Sequence, residues 1–247
     1  MVERDDAASL ALLWEEPVAA GNSVQLSASA LRHALVRRVR TGDAVRLLDG
    51  RGRVAHGRVA DVGAKSASVE VARVEHVPRP MALELLVPVA DRERMLWAAE
   101  KCVEHQVTAW RPVIFARSRS VSTRGEGPRF TDKLRARMAS ALEQCGGAWL
   151  PDLHDESDYA SALRSVPGGS ARVVLDASGP PITALATSAT VALSIGPEGG
   201  FEPREVDVAR AAGWVTASLG ATMLRFETAI VSGAAVVRAL QLSTRGA

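Results

Sequence analysis

Short β-rich runs alternate with helix-like segments from Met81 to the end of the chain. In chain order, the β-rich runs read LELLVPV, VTAWRPVIFA, RVVLDAS, TVALSIG and WVTASLG. The segments RERMLWAAEKCVEH, TDKLRARMASALEQ and ETAIVSGAAVVRALQL read as helices. Strands that alternate with helices in this way form a mostly parallel sheet with helices packed on its faces. The sequence therefore predicts an α/β domain over residues 81–247.

Three of these β-rich runs end in loops that contain glycine, at Asp176–Pro181, Gly196–Phe201 and Leu219–Phe226. Parallel sheets bind ligands at the carboxyl ends of their strands, so the three loops should converge on one pocket. In the middle loop, IGPEGGF, glycine allows close backbone approach and proline lacks a donor, which suits a ligand held by main-chain atoms. Considered without the other two loops, this heptapeptide is equally compatible with an ordinary turn between a strand and a helix.

The segment EPREVDVARAAG, which follows the middle loop, carries residues typical of the two ends of a helix. Pro203 suits the first turn of a helix, Glu202 and Glu205 suit the positive end of its dipole, and Gly213 suits the position after its last residue. The final helix is small and apolar nearly all round over residues 228–237, so it should pack on the core on one side and on a second subunit on the other. We therefore predict a homodimer.

Residues 22–76 follow a different pattern, with short alternating strands and turn signals at Asp49-Gly50, Arg51-Gly52 and Gly63. Turns at roughly 8 to 12 residues are typical of a small β-barrel. Two prolines in Val77–Pro80 disfavour a continuing helix or central strand, which indicates a linker. We predict a small N-terminal β-barrel domain over residues 1–76 and the α/β domain over residues 81–247.

Arginines concentrate in two stretches, although the formal net charge is only +2. Eight arginines against two acidic residues lie between Leu31 and Arg58, and a second basic stretch runs from Arg111 to Arg137. Solvated protein faces can be equally rich in arginine, but the two stretches together favour a polyanionic partner. The candidates for contacting such a partner are Arg32, Arg37, Arg38, Arg40 and Arg117.

Other classes of protein fit the chain poorly. No apolar stretch approaches the roughly 20 residues needed to cross a bilayer, and acidic residues precede the short apolar patch near the N-terminus, unlike a signal peptide. With only two cysteines in 247 residues, the chain is expected to be cytoplasmic and without a disulfide framework. The sequence has no GxGxxG turn after an early strand, which argues against a Rossmann-type methyltransferase or dehydrogenase. It also lacks the Gly-Lys-Ser/Thr of a P-loop. The spacing of Cys102, His105, Cys145 and His154 is poor for zinc, so no metal is expected.

The stretch LSIGPEGGFEPREVDVARAAGWVTASLGATMLRFETA, at residues 193–229, resembles the C-terminal signature of the RsmE family of SPOUT methyltransferases. HALVRRVRTGDAVRLLDGRG, starting at His33, is similar to the PUA-like RNA-binding module of that family. DRERMLWAAEKCVEHQV, ARSRSV and ALEQCGGAWLP fall between them in family order, so the resemblance covers most of the chain.

The resemblance implies a fold and an activity that composition and periodicity cannot supply. The fold is a deep trefoil knot with its cofactor bound at a dimer interface. The activity is methylation of uridine N3 in the decoding region of bacterial 16S ribosomal RNA by S-adenosylmethionine. The partners would be 16S rRNA or the small ribosomal subunit. A SPOUT enzyme acting on tRNA, or an RNA-binding ribosome-assembly factor without turnover, are the alternatives.

The resemblance also implies roles for particular residues. Arg225 is the candidate for stabilising charge on the uracil oxygens, with a phosphate or dimer contact as its alternative. Glu198 and Glu227 are candidate acceptors of the N3 proton, and capping is the favoured reading of Glu227. Gly199→Val is expected to fill the cofactor pocket. The cofactor-binding candidates are Leu175, Leu193, Ile195, Gly196, Glu198, Gly199, Gly200, Leu219, Gly220, Leu224, Arg225, Glu227 and Thr228.

The chain departs from the usual family pattern at several positions. Gly220-Ala221-Thr222 stands where Gly-Pro-Arg is common, and Gly147 stands where an arginine is common. His105-Gln106 replaces Leu-Gly, and Phe226 replaces a small polar residue. The missing arginines at Thr222 and Gly147 remove two potential contacts with RNA.

Overall fold

A computed structural model of the chain describes residues 10–120, 124–184 and 190–243. Two compact units are present, one made of residues 1–79 with 139–150 and the other of residues 80–138 with 151–247. The first unit ends within the proline-containing segment proposed as the linker. Residues 139–150 lie in the first unit, whereas the boundary drawn from the sequence assigns them to the second.

The first unit contains a five-stranded sheet and one helix. Its elements are β1 (Leu10–Leu13), β2 (Ser23–Gln25), α1 (Ala28–Val36), β3 (Ala44–Leu48), β4 (Arg53–Val62) and β5 (Ala67–His76). The strand order is β1-β3-β4-β5-β2; β1 runs parallel to β3, and the other pairings are antiparallel. Gly50 and Gly52, both at positive φ, lie in the predicted turn between β3 and β4.

Helix α1 was absent from the sequence prediction, which assigned only strands and turns to this region. The Ser27 hydroxyl accepts a hydrogen bond from the backbone N–H of Ala30 at 3.2 Å and so caps the helix. Ala30, Leu31 and Ala34 lie on one helical face and are buried in the core of this unit. The apolar residues of this segment follow helical spacing, and the segment therefore forms a helix although the sequence on either side of it has the alternating pattern of strands.

The second unit is built on a seven-stranded sheet in which every described pairing is parallel. The strand order is β12-β10-β11-β6-β7-β8, and β9 also pairs with β7. The strands are β6 (Leu83–Pro88), β7 (Ala109–Ile114), β8 (Asp152–Leu153), β9 (Ser157–Asp158), β10 (Ala171–Leu175), β11 (Val191–Ile195) and β12 (Val215–Ala217). The prediction of an α/β fold with a mostly parallel sheet is confirmed.

Five helices belong wholly or partly to this unit. They are α2 (Arg92–Glu104), α3 (Pro128–Cys145), α4 (Tyr159–Ser165), α5 (Pro203–Ala211) and α6 (Phe226–Ser243). The last turns of α3, from Ala139, belong to the first unit. The sequence prediction included α2, α3, α5 and α6, but it missed the short elements β8, β9 and α4. None of the helices in the described ranges is both long and apolar enough to span a membrane.

The capping signals of α5 are confirmed. The backbone N–H of Glu202 donates to the Glu205 carboxylate at 2.8 Å, which forms a capping box, and Pro203 occupies the first turn. Gly213 follows the C-cap at φ +80°, a conformation that glycine adopts without strain. These caps fix where the chain leaves the loop after β11.

Helix α6 packs closely against the sheet because Gly233 lacks a side chain. A Cβ at this position would lie 3.0 Å from Cδ1 of Leu175 and 3.1 Å from Cδ1 of Leu193. Arg238, which is almost completely buried, donates to the backbone carbonyls of Met81, His105 and Gln106. The helix is therefore held against the end of β10, the middle of β11 and the residue stretch that precedes β6.

Candidate functional site

Three neighbouring strands of the second unit end at the same level. Leu175, the last residue of β10, is the register partner of Ile195 at the end of β11 and of Ala217 at the end of β12. A pocket opens at this edge of the sheet. The predicted residues that line it are Leu175, Ile195, Gly196, Gly200, Leu219, Gly220 and Leu224. All three predicted loops contribute to the wall of this one pocket.

The other six predicted cofactor residues do not line the pocket. Leu193 lies in the core beneath α6, fully buried. Glu198, Gly199 and Thr228 are exposed, as is Arg225, and Glu227 is largely buried next to α2.

Aromatic and small side chains that the sequence analysis did not select also line the pocket. Phe226 and Ala229 lie three residues apart on α6 and present one face of this helix to it. Phe201 closes the glycine loop, and its ring lies 5.4 Å from that of Phe115 in a T-shaped contact. The helical spacing of Phe226 and Ala229 was the sequence feature from which both could have been placed on one face of the final helix, next to the predicted loops. Phe226 had instead been noted as a departure from the family pattern.

The loop after β11 is held in shape by its glycines and by Phe201. Gly200 has φ +69°, and its N–H donates to the carbonyl of Pro197 at 2.8 Å, closing a turn. A Cβ at Gly196 would lie 2.9 Å from the ring of Phe201. Burial raises the pKa of Tyr159 to about 12, and the Tyr159 ring lies 5.8 Å from that of Phe201, so a neutral aromatic cluster supports the loop.

Gly199 is constrained by a neighbouring arginine and not by the pocket. A Cβ at Gly199 would lie 3.1 Å from Cβ of Arg117, and Nη1 of Arg117 donates to the Gly199 carbonyl at 2.6 Å. The expectation that Gly199→Val fills the pocket is therefore wrong, because the added side chain would meet Arg117. The glycines that do line the pocket in this loop are Gly196 and Gly200.

The loops after β10 and β12 are tied to each other. The N–H of Ser218 donates to the carbonyl of Pro180 at 2.7 Å, and the N–H of Ile182 donates to the carbonyl of Ser218 at 2.8 Å. A Cβ at Gly179 would lie 2.7 Å from the backbone of Ala217, so only glycine permits this approach. The two loops together form one fixed wall of the pocket.

The pocket offers apolar surface together with free main-chain groups. The side chains of Leu175, Ile195, Leu219 and Leu224 supply the apolar part. Within the described residues, the backbone N–H groups of Leu219 and Leu224 have no hydrogen-bond partner. Flat apolar surface and free backbone donors suit a nucleoside such as the adenosyl part of S-adenosylmethionine.

Charged groups gather where the loop after β11 approaches the start of α6. Arg94, on the first turn of α2, donates from Nη1 to Glu198, and its Nε lies 3.8 Å from Oε1 of Glu227. Arg225 is exposed, and its guanidinium makes no hydrogen bond or ion pair with any described residue. The sequence analysis missed Arg94, since it lies 104 residues before Glu198.

Two matches of the chain to family models cover both units. The RNA methyltransferase domain matches residues 77–238, and the RNA methyltransferase PUA domain matches residues 26–72. The chain belongs to the RNA methyltransferase domain family. The PUA-like identity of the N-terminal region is also confirmed.

Two relatives of this RNA methyltransferase are similar along most of their length. Ribosomal RNA small subunit methyltransferase E of Synechocystis sp. is 25% identical over a 214-position alignment that covers 83% of this chain and 69% of that protein. The protein of the same name from Mycobacterium bovis is 28% identical over a 224-position alignment that covers 79% of this chain and 78% of that protein. These similarities confirm the resemblance to the RsmE family.

A solved structure agrees with the fold of this methyltransferase. The crystal structure of ribosomal RNA small subunit methyltransferase E from Neisseria gonorrhoeae, bound to S-adenosyl methionine, matches it with a TM-score of 0.84 at 26% identity. The match covers 94% of this chain and 98% of that chain.

The arginines predicted to contact RNA differ in their surroundings. Arg32, Arg37, Arg38 and Arg40 are exposed, and no hydrogen bond or ion pair joins their side chains to the described part of the chain. Arg117 is exposed as well, but its guanidinium is bound to the glycine loop.

The described residues include no cluster of three or more side chains able to hold a metal ion. Burial raises the pKa of the Cys102 thiol well above its usual range, which makes it unreactive. Burial also lowers the pKa of His154, assisted by the nearby charge of Arg111.

Proposed function

We propose that the protein transfers a methyl group from S-adenosylmethionine to N3 of a uridine in the decoding region of 16S ribosomal RNA. The observation that carries the proposal is the pocket where β10, β11 and β12 end together, in a chain of the RNA methyltransferase domain family. The structure with bound S-adenosyl methionine from Neisseria gonorrhoeae has the same fold, which supports this choice of methyl donor.

The pocket residues would hold the donor through its adenosyl part. A micromolar affinity requires about 8 kcal/mol, and a few backbone hydrogen bonds at about 1 kcal/mol each cannot supply it. Contact with Leu175, Ile195, Leu219 and Leu224 would therefore provide most of the binding energy. When bound, S-adenosylmethionine supplies a methyl group on a positively charged sulfonium. No metal is required for this transfer.

Arg225 is the residue that we assign to the charge that develops on the uracil ring. As N3 loses its proton, negative charge spreads to the two ring carbonyl oxygens. The Arg225 guanidinium is exposed and has no partner among the described residues, so it is available to donate to O2 or O4. Glu198, which the sequence analysis placed beside it as a catalytic candidate, is paired with Arg94.

The exposed arginines on and after α1 form the proposed RNA surface, which consists of Arg32, Arg37, Arg38 and Arg40. Each arginine that contacts a phosphate displaces bound counterions from the RNA. Arg37→Gln and Arg38→Gln should each weaken RNA binding and reduce the slope of log K against log salt by about one. Fluorescence anisotropy titrations at several salt concentrations measure this slope. Unchanged slopes would mean that the N-terminal unit is not the RNA platform.

The assembly state, the knot and the compartment belong to the same proposal. Val231, Ala235 and Val236 on α6 are only half-buried, and Trp97 on neighbouring α2 is 45% exposed, so an apolar face remains for a second copy. The hydrogen bonds between the loops after β10 and β12 are compatible with a trefoil knot. Action on ribosomal RNA agrees with a cytoplasmic location.

Nucleoside mass spectrometry of ribosomal RNA from a strain without the gene tests the proposed function. We expect 3-methyluridine to disappear from the small-subunit RNA. An unchanged set of rRNA modifications would favour a ribosome-assembly factor without turnover, and a nucleoside lost from tRNA would favour a tRNA enzyme.

A further inference from the structure

One carboxylate oxygen at the start of α6 is buried without a partner. The Glu227 side chain is 13% exposed, and its Oε2 has no hydrogen-bond partner among the described residues. The other oxygen, Oε1, lies 3.8 Å from Nε of Arg94, beyond hydrogen-bond distance. A carboxylate oxygen that has lost water without gaining a donor is unfavourable, so a ligand that brought a donor to this atom would relieve that cost.

The position of Glu227 connects this oxygen to the pocket. Glu227 follows Phe226, whose ring lines the pocket, and precedes Ala229, which also lines it. Arg94 binds both Glu227 and Glu198, so a single guanidinium joins the start of α6 to the loop after β11. Both of these segments border the pocket, and Arg94 links their two carboxylates beside it, although neither carboxylate itself lines the pocket.

The two carboxylates differ in what they can still bind. Glu198 is 49% exposed and accepts a charge-assisted hydrogen bond from Arg94, so water and the guanidinium already solvate it. Glu227 has one oxygen shielded from water and unbound. Glu227 is therefore better suited than Glu198 to accept a proton from a substrate group. Capping, the role that the sequence favoured for Glu227, leaves this oxygen unexplained.

We propose that Glu227 recognises the N3–H group of the target uridine and accepts its proton, and that Arg94 is the residue that positions Glu227. This inference rests on the proposed function. The N3–H bond breaks, and its proton passes to Oε2 of Glu227. The electron pair left on N3 forms the new bond to the methyl group. The carbon–sulfur bond breaks at the same time, and the electron pair of that bond stays on sulfur. The sulfonium charge is thereby neutralised, and the carboxyl group later returns its proton to water.

The same contact distinguishes uridine from cytidine. Uracil N3 carries a hydrogen and donates, whereas cytosine N3 has a lone pair and can only accept. An ionised carboxylate is also only an acceptor, so Glu227 would pair with uracil and repel cytosine at this position. A glutamine there can donate as well as accept, and it would tolerate both bases.

Binding of RNA without the methyl donor tests the recognition step. Two target oligonucleotides are compared, with uridine or cytidine at the modified position. We expect the wild-type protein to prefer uridine by roughly ten- to a hundredfold, and Glu227→Gln to lose this preference. The control variant Asp207→Asn, which removes an exposed carboxylate on α5 outside the pocket, should keep it. A preference that survives in Glu227→Gln, or that both variants lose equally, would overturn the proposal.

Single-turnover methylation tests the proton transfer. Glu227→Gln should slow the reaction by about 10²- to 10⁴-fold while calorimetry shows unchanged affinity for S-adenosylmethionine. Arg94→Met should also slow it, and Arg94→Lys should restore part of the rate because it returns the positive charge beside Glu227. Equal rates in wild type and Glu227→Gln would overturn this inference alone. Absence of methyl transfer by the wild-type protein would overturn the proposed function as well.

Discussion

Ala229→Leu is expected to lower the affinity for S-adenosylmethionine by about a hundredfold or more, equivalent to about 3 kcal/mol. Ala229 lies on the face of α6 that lines the pocket, one turn after Phe226. Leucine favours helix as alanine does, so the larger side chain should occupy the pocket while the helix remains intact. Isothermal titration calorimetry with S-adenosylmethionine measures the change.

Ala239→Leu is the matched control for this prediction, because Ala239 is an exposed position on the same helix and lies outside the pocket. It should bind S-adenosylmethionine like the wild type. Thermal unfolding of both variants should stay within a few degrees of the wild type, as expected for substitutions that leave the core intact. Wild-type affinity in Ala229→Leu would show that the methyl donor does not bind in this pocket.

Arg225→Ala should slow single-turnover methylation by about 10²- to 10³-fold, the usual effect of removing a donor that stabilises charge in the transition state. The affinity for S-adenosylmethionine should change little, because Arg225 does not line the pocket. Rapid-quench measurements with saturating RNA separate this loss of rate from weaker RNA binding.

The control for Arg225 is Arg204→Ala on α5, which removes an exposed arginine that also makes no ion pair with the described residues. It removes the same charge from a helix outside the pocket and should leave the rate unchanged. If Arg225→Ala instead raised only the RNA concentration needed for half-maximal rate, Arg225 would be a phosphate contact. That was the alternative that the sequence left open.

Local signals in the sequence were sufficient to predict the longer strands and helices of the second unit. The β-rich runs and the caps of α5 are properties of adjacent residues, and parallel strands place their carboxyl ends at one edge. For this reason the three glycine-containing loops were expected at one pocket, where the structure has them. In contrast, α1 was missed because its cap and its four-residue spacing lie between strands of alternating pattern.

Contacts between distant residues could not be predicted in this way. Arg117 binds the Gly199 carbonyl although the two residues lie 82 positions apart in the sequence. Glycine at position 199 therefore leaves room for Arg117 and not, as expected, for the cofactor. Arg94 joins Glu198 to Glu227 from a different helix, and nothing in either local stretch of sequence indicates this. The proposed trefoil knot is likewise a matter of which segment passes through which loop, so periodicity carries no information about it.

The most direct test of the central claim combines the gene deletion with plasmids that restore one variant at a time. Nucleoside mass spectrometry should find 3-methyluridine in small-subunit RNA when wild type or Ala239→Leu is restored. It should find far less with Ala229→Leu and none with the empty plasmid. The same 3-methyluridine content in all four strains would contradict the account.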